Sequence, residues 1–419
     1  MKVSAPQRLA VSLAALGAMV GLSLISVEGP RRTTSLLDLS SGNDSLFPSF
    51  SWLGLGVTPL LTGFLIVELI AVVLPPLRWR RVSGEGPRRP LVYASWGLGL
   101  ALAALQAAGV SRAADLSLGA MVMAGTLLSW GLVVAAGRYG LLNGFAVAAL
   151  ASLGAFDDVE RVQRLVLEEA VTPGAALVLV AVLAGAAWTL MLLSRRAPPA
   201  SEVPVRAPPP ISGLGMTASA AALLSFPATL ASLFPALSSP AVALQSSQLL
   251  YTSLWAALAV TFTVGWSLVF FWPRAVAALW KRWNPQLDET SAILAARALL
   301  PIAIRDALLL NVVFTLAIQL TLQVGGGLVS VVLVATLIVL DGLDEWRFRV
   351  THGELTTVLE VQRVPEVDAV LHRLSSNGVP AVARARHYRA ALQFFGPNVP
   401  VEVMVPVARA DEAKVLLAT

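Results

Sequence analysis

Few side chains in this sequence are able to do chemistry, and their placement narrows what the chain can be. Its three histidines, His352, His372 and His387, all fall in the C-terminal tail. There is no cysteine, which removes thiolate catalysis, disulfides and Cys-based metal sites. The paired carboxylates Asp157-Asp158 and Glu168-Glu169 lie in a charged stretch that reads as a solvated amphipathic helix rather than as an acid/base couple. No Gly-x-Ser-x-Gly, P-loop or His-Glu-x-x-His string is present. The sequence therefore predicts a protein that is not an enzyme and has no cofactor or metal site. What remains is a handful of charges within apolar runs: Glu68, Arg305 and Asp306. Glu68 is expected near a helix end, snorkelling to water.

The elements that must hold these charges are apolar helices. The chain is 56% hydrophobic and only 13% charged, with a mean hydropathy of +0.75. An ordinary soluble domain is about a quarter charged. A bilayer core about 30 Å thick is crossed by about 20 apolar helical residues. The pattern predicts ten spans, near 9–27, 53–74, 91–110, 117–137, 141–155, 173–193, 213–235, 249–271, 305–323 and 326–345. The first is read as a membrane helix rather than a cleaved signal, because its apolar run exceeds an ordinary signal core and no small-x-small site follows.

Short Lys/Arg-rich loops tend to stay in the cytoplasm. Alternating the loops from an inside N-terminus gathers Arg78, Arg80, Arg81, Arg88, Arg89, Arg138, Arg195, Arg196, Arg274, Lys281 and Arg282, among others, on one side. Only Arg31, Arg32, Arg112, Arg161 and Arg164 fall on the other. Both termini are thus expected in the cytoplasm. The net charge of +5 reads as membrane topology rather than as a nucleic-acid footprint, since no aromatic-interleaved basic patch accompanies it.

Several strings resemble the SecY family of protein-conducting channels. They are LGLGVTPLLTGFLIVELIAVV, the hairpin GEGPRR with the LALAALQAAGV that follows, and GLGMTASAAALLSFPATLASLF from Gly213. Weaker echoes are the Gly-Leu-Leu-Asn-Gly string at 140–144, Pro273-Arg274 and the apolar run from Gly326 to Asp341. The resemblance implies an all-α polytopic membrane protein, with a ten-helix channel of two inverted halves over residues 1–348, in the bacterial inner membrane. It implies an unfolded polypeptide as substrate, the lipid bilayer as surroundings and small SecE/SecG-like membrane subunits as partners. It also implies a cytoplasmic motor or ribosome at the docking loops. No direct contact with nucleic acid is expected.

Carried onto this sequence, the resemblance places a pore ring at Val57, Leu61, Phe145, Ala149, Ala218 and Val334. It places a lateral gate at Pro59, Thr62, Gln106, Phe226 and Pro227, and a plug in residues 33–50. By composition alone the glycines and prolines of the second and seventh spans are equally met by ordinary membrane packing, and 33–50 by a plain outer loop. The docking surface would be Arg88, Arg89, Arg195, Arg196, Arg274, Lys281 and Arg282. Two ring positions are alanine, and the segment after Arg274 lacks the family's Gly-x-Arg-Pro-Gly turn. An interfacial helix before the ninth span would put Arg305 and Asp306 at the water boundary.

Beyond Arg349 the composition becomes that of a soluble domain. Residues 357–361, 381–387 and 401–405 read as strands. Helices are expected over 367–374, stopped by Asn377-Gly378, and over 410–418. This βαββα order suits a small α+β ferredoxin-like cytoplasmic domain over 353–419. It resembles the signal-transducing domains related to PII regulators, and an appendage fits it equally. The expected function is a SecY-like channel for translocation or insertion of polypeptides. The alternatives are a specialised insertase, or a regulatory or scaffold membrane protein whose tail senses a signal.

Overall fold

The computed structural model describes residues 5–24, 58–82, 85–113, 116–140, 173–195, 220, 224, 248–321, 327–391 and 400–418. They form a mostly helical chain with one small sheet near the C-terminus. The helices are α1 (Ala5–Leu24), α2 (Thr58–Val73), α3 (Pro75–Val82), α4 (Glu85–Ala113), α5 (Leu116–Tyr139), α6 (Pro173–Ser194), α7 (Gln248–Phe270), α8 (Pro273–Trp283), α9 (Glu289–Thr321) and α10 (Gly327–His352). The tail follows as β1 (Leu355–Val361), α11 (Val364–Ser376), β2 (Val382–Arg384), α12 (Arg386–Ala391), β3 (Val401–Pro406), a 3-10 turn (Val407–Arg409) and α13 (Ala410–Ala418).

Five segments of the described residues are long and apolar enough to cross a membrane: Arg88–Ala108, Leu116–Gly137, Ala176–Ser194, Ser253–Trp283 and Glu289–Ala317. Serine and threonine are tolerated in them because a hydroxyl can bond back to a carbonyl one turn earlier. Examples are Ser95 to Leu91, Ser129 to Gly125 and Ser267 to Thr263. The expected spans near 141–155 and 213–235, and the plug 33–50, lie outside the described residues apart from positions 220 and 224.

The chain divides into two compact units, Met1–Glu160 with Thr217–Ala259, and Arg161–Met216 with Val260–Thr419. In the first, α2 packs on α4, α4 on α5 and α5 on α1. The α2–α4 crossing is backbone to backbone: a Cβ on Gly63 would lie 2.5 Å from the Gly99 nitrogen, and one on Gly99 would lie 2.8 Å from Leu60 Cα. Only paired glycines allow that approach. Beside it the Phe64 ring meets Trp96 edge-on at 4.9 Å, and Trp96 stacks on Trp130 at 4.6 Å, tying α2, α4 and α5 together.

In the second unit α6 packs against α9 and α10, and α8 packs on α9. Helix α9 corrects the reading of an interfacial helix followed by a span starting at 305. It runs unbroken from Glu289 to Thr321 with Pro301 inside it, and Asp306 is buried at 1% exposure. A proline removes one helical hydrogen bond without ending the helix. The carboxylate is neutralised by the neighbouring Arg305, whose Nε and Nη2 donate to Oδ1 at 3.0 and 2.8 Å. Asn311 Nδ2 donates to Thr263 Oγ1 at 3.0 Å and links α9 to α7.

Helix α10 passes directly into the tail and stops at Gly353, whose φ of +82° only glycine adopts freely. The tail sheet has the order β1-β3-β2 with both pairings antiparallel. Helix α11 ends as expected at Asn377-Gly378, with Gly378 at φ +75° and the Val379 N–H returning to the Leu374 carbonyl. The strand expected over 381–387 is a correction: β2 holds only three residues. Ala385, left-handed at φ 63°, turns the chain into the short helix α12, so the order is βαβαβα.

Candidate functional site

In the first unit, the candidate gate residues Pro59 and Thr62 lie on α2, with Leu61 between them, and Gln106 lies on α4. Helices α2 and α4 run antiparallel, with Glu68 level with Arg88 and Gly63 level with Gly99. Gln106 therefore stands about 10 Å beyond Gly99 along α4, past the level of Thr62, so the register does not set the two opposite each other. Its Oε1 is buried without a hydrogen-bond partner. Val334 is buried on α10. Val57, Phe145, Ala149, Ala218, Phe226, Pro227 and Arg196 lie outside the described residues.

Glu68 does not snorkel. It is buried and bound to Arg88 Nη2 at 2.5 Å, with side chains 7% and 6% exposed. An arginine twenty residues away in sequence is brought one helix across by the turn through α3, and an ion pair in low dielectric persists only when each charge has its partner. Arg88 is therefore no part of an exposed docking surface of this unit, whereas Arg89 is exposed.

In the second unit, Arg195 follows α6 and is exposed, as are Arg274, Lys281 and Arg282 on α8. Helix α8 is amphipathic: Pro273, Val276, Ala277, Trp280 and Trp283 are buried at helical spacing, while the basic residues face outward. The tail covers its aromatic end. Trp280 Nε1 donates to the Pro365 carbonyl at 3.0 Å and Trp283 Nε1 to Glu366 Oε1 at 2.8 Å. Arg373 Nη1 returns a bond to the Trp283 carbonyl at 3.1 Å, and Arg282 stands 3.8 Å from Glu366.

A second junction joins the tail to the last turns of α10. Asp341 Oδ1 and Oδ2 accept the backbone N–H groups of His387 and Tyr388, both at 2.9 Å, at the start of α12. One turn on, Asp344 Oδ2 meets His387 Nε2 at 3.0 Å. Glu345 takes Arg384 Nε and Nη2 at 2.7 Å each, while Arg384 Nη1 reaches Glu402 at 3.2 Å. Burial works against the Arg384 charge, but its bonds to Glu345 and Glu402 outweigh that and raise its pKa. Burial pushes the Tyr388 phenol well above its usual value. Asp368 holds Arg386 at 2.8 Å behind these contacts.

The sequence reading passed over this junction. Its signals were the carboxylates 341, 344 and 345, spaced to share one face of a helix, and the Trp-Lys-Arg-Trp string at 280–283. No known protein-family model matches the chain, and no curated protein matches it either.

Proposed function

We propose that this chain is a SecY-like protein-conducting membrane protein that passes or inserts unfolded polypeptides. In this reading ten spans in two inverted halves lie in a bacterial inner membrane with both termini in the cytoplasm. The tail is a ferredoxin-like cytoplasmic domain, and small SecE/SecG-like subunits flank the channel. The observation that carries the reading is α2: a Pro- and Gly-bearing helix seated on α4 by the Gly63–Gly99 backbone contact, within the strings that resemble the family's gate helix. A crosslinkable amino acid at Thr62, combined with a stalled secretory or membrane nascent chain, tests it. Crosslinks at Thr62 and none at the exposed Arg274 are expected. A Thr62 position silent to every such chain would remove the channel reading.

The covered α8 favours a second reading, a specialised paralogue. The segment after the eighth span is where the family's motor or ribosome docks, and here α11 occupies its aromatic end. Expression of this chain while a housekeeping channel is depleted separates the two. Failure to restore growth favours the specialised form, and full restoration favours the general one.

A further inference from the structure

At the foot of α10 a groove of about 380 Å³ opens between that helix, α11 and β2. This volume lies within the range of small-molecule sites. Asp344, Arg347, Phe348 and Thr351 share one face of α10 and form one wall, while Leu371 of α11 and Arg386 stand across from them.

Two arginines face this groove with donor capacity left over. Of the carboxylates nearby, Asp344 is engaged by His387 Nε2, Asp341 accepts the His387 and Tyr388 backbone N–H groups, and Asp368 is engaged by Arg386 Nη2. The Arg386 guanidinium is buried, fixed by that contact, and its Nε makes no hydrogen bond. Arg347 is exposed at the mouth. The His387 hydrogen bond, and to a lesser degree the charges of Arg195 and Arg347, lower the Asp344 pKa. Arg347 and the Arg386 Nε thus remain as donors on a groove whose carboxylates already have partners. On another face of α10 Trp346 and Val350 are exposed at 62% and 69%, an apolar surface of the kind found where helices leave a bilayer.

We propose that this groove binds a phosphate-ester anion, with Arg347 as the direct donor, Arg386 as a fixed charge behind it, and Phe348 and Leu371 against the ester's apolar portion. A phosphate offers the fork of an arginine paired oxygens and a negative charge to set against the exposed guanidinium. The ester is either the headgroup of an anionic lipid lying along α6 and α10, or a soluble phosphomonoester. The inference does not depend on the channel reading.

The test uses the full chain in two arms. In neutral phosphatidylcholine nanodiscs, glycerol 3-phosphate is titrated by calorimetry. In mixed phosphatidylglycerol and phosphatidylcholine nanodiscs, lipid retained by the released protein is counted by native mass spectrometry. Saturable binding in at least one arm is expected, and Arg347→Glu should weaken it by about tenfold or more. Arg347→Gln, which leaves no charge to repel, should weaken it in the same direction, and Arg274→Glu on exposed α8 should leave it unchanged. Binding in the lipid arm alone assigns a headgroup site, and binding in the soluble arm alone assigns a soluble ester. Saturation in neither arm, or saturation indifferent to both Arg347 variants, overturns the proposal.

Discussion

Arg384 of β2 grips Glu345 on α10 with both arms of its guanidinium, at 2.7 Å each, although 39 residues separate the two in sequence. Both side chains are largely buried, 12% and 14% exposed, so each is the other's chief compensation for lost water. Glu345→Ala leaves Arg384 with only its bond to Glu402 and should destabilise the tail by about 1 to 3 kcal/mol. Arg384→Lys, which keeps the charge but loses the fork, should fall between the two. Hydrogen exchange of 355–361 and 401–406 in the intact protein reads the difference, and equal protection in all three forms would refute the clamp.

Trp280 and Trp283 should hold the tail against α8. Trp283→Ala removes a buried indole and leaves Glu366 without its N–H donor, a loss of about 3 to 5 kcal/mol by core-truncation precedent. Limited proteolysis of the full chain should then cut near 353–364 well before the membrane helices are touched. Trp272→Ala, an exposed aromatic on the same segment, should leave the cutting pattern as it is.

The Gly63–Gly99 contact makes a sharp steric prediction. Gly63→Leu would drive a Cβ to 2.5 Å from backbone nitrogen, which no side-chain rotation relieves, and should lower stability by about 3 kcal/mol or more. Gly97→Leu on α4, with open space around it, should be nearly silent. Thermal unfolding in detergent compares the two. Equal melting temperatures would mean that α2 and α4 do not cross at these glycines.

The Glu68–Arg88 pair should behave non-additively. Glu68→Gln or Arg88→Met alone removes one half of a buried ion pair, at a cost of about 3 to 5 kcal/mol each. The double variant has no charge to strand and should regain most of the loss. A double variant as unstable as the sum of its parts would sink this reading.

Ala385 is the one non-glycine residue at positive φ among those described. A left-handed alanine costs about 1 to 2 kcal/mol, and glycine's greater unfolded entropy offsets about half of that. Ala385→Gly should stabilise the tail by a few tenths to about 1 kcal/mol, measured by the same hydrogen exchange. A loss of protection would show that the turn draws its shape from the methyl group.

The apolar runs were legible because membrane helices are written in long stretches of one composition, as in α5 and α6. The tail's elements were mostly legible too, since Val401, Val403 and Val405 alternate and Asn377-Gly378 stops a helix. Residues 381–387 misled because alternation is also met by a three-residue strand followed by a helix turned by Ala385, and nothing local in an alanine announces positive φ. Glu68 misled because its partner Arg88 sits in a basic hairpin whose members Arg80 and Arg89 are exposed. The α10 junction was hidden for a different reason: Asp341 bonds to backbone N–H groups, and the residues that offer them carry no sequence signature.

Helix α8 and its cover are separated by 83 residues from Trp283 to Glu366. A ribosome adding roughly 5 to 20 residues each second emits Trp283 several seconds before Glu366. For that interval every newborn copy presents a bare indole pair flanked by Lys281 and Arg282, and the tail closes over it only as synthesis finishes. The chain thus carries a timer as well as a lid, with a brief sticky infancy in which any helper that favours aromatic, basic helices has its sole opportunity to bind there unopposed.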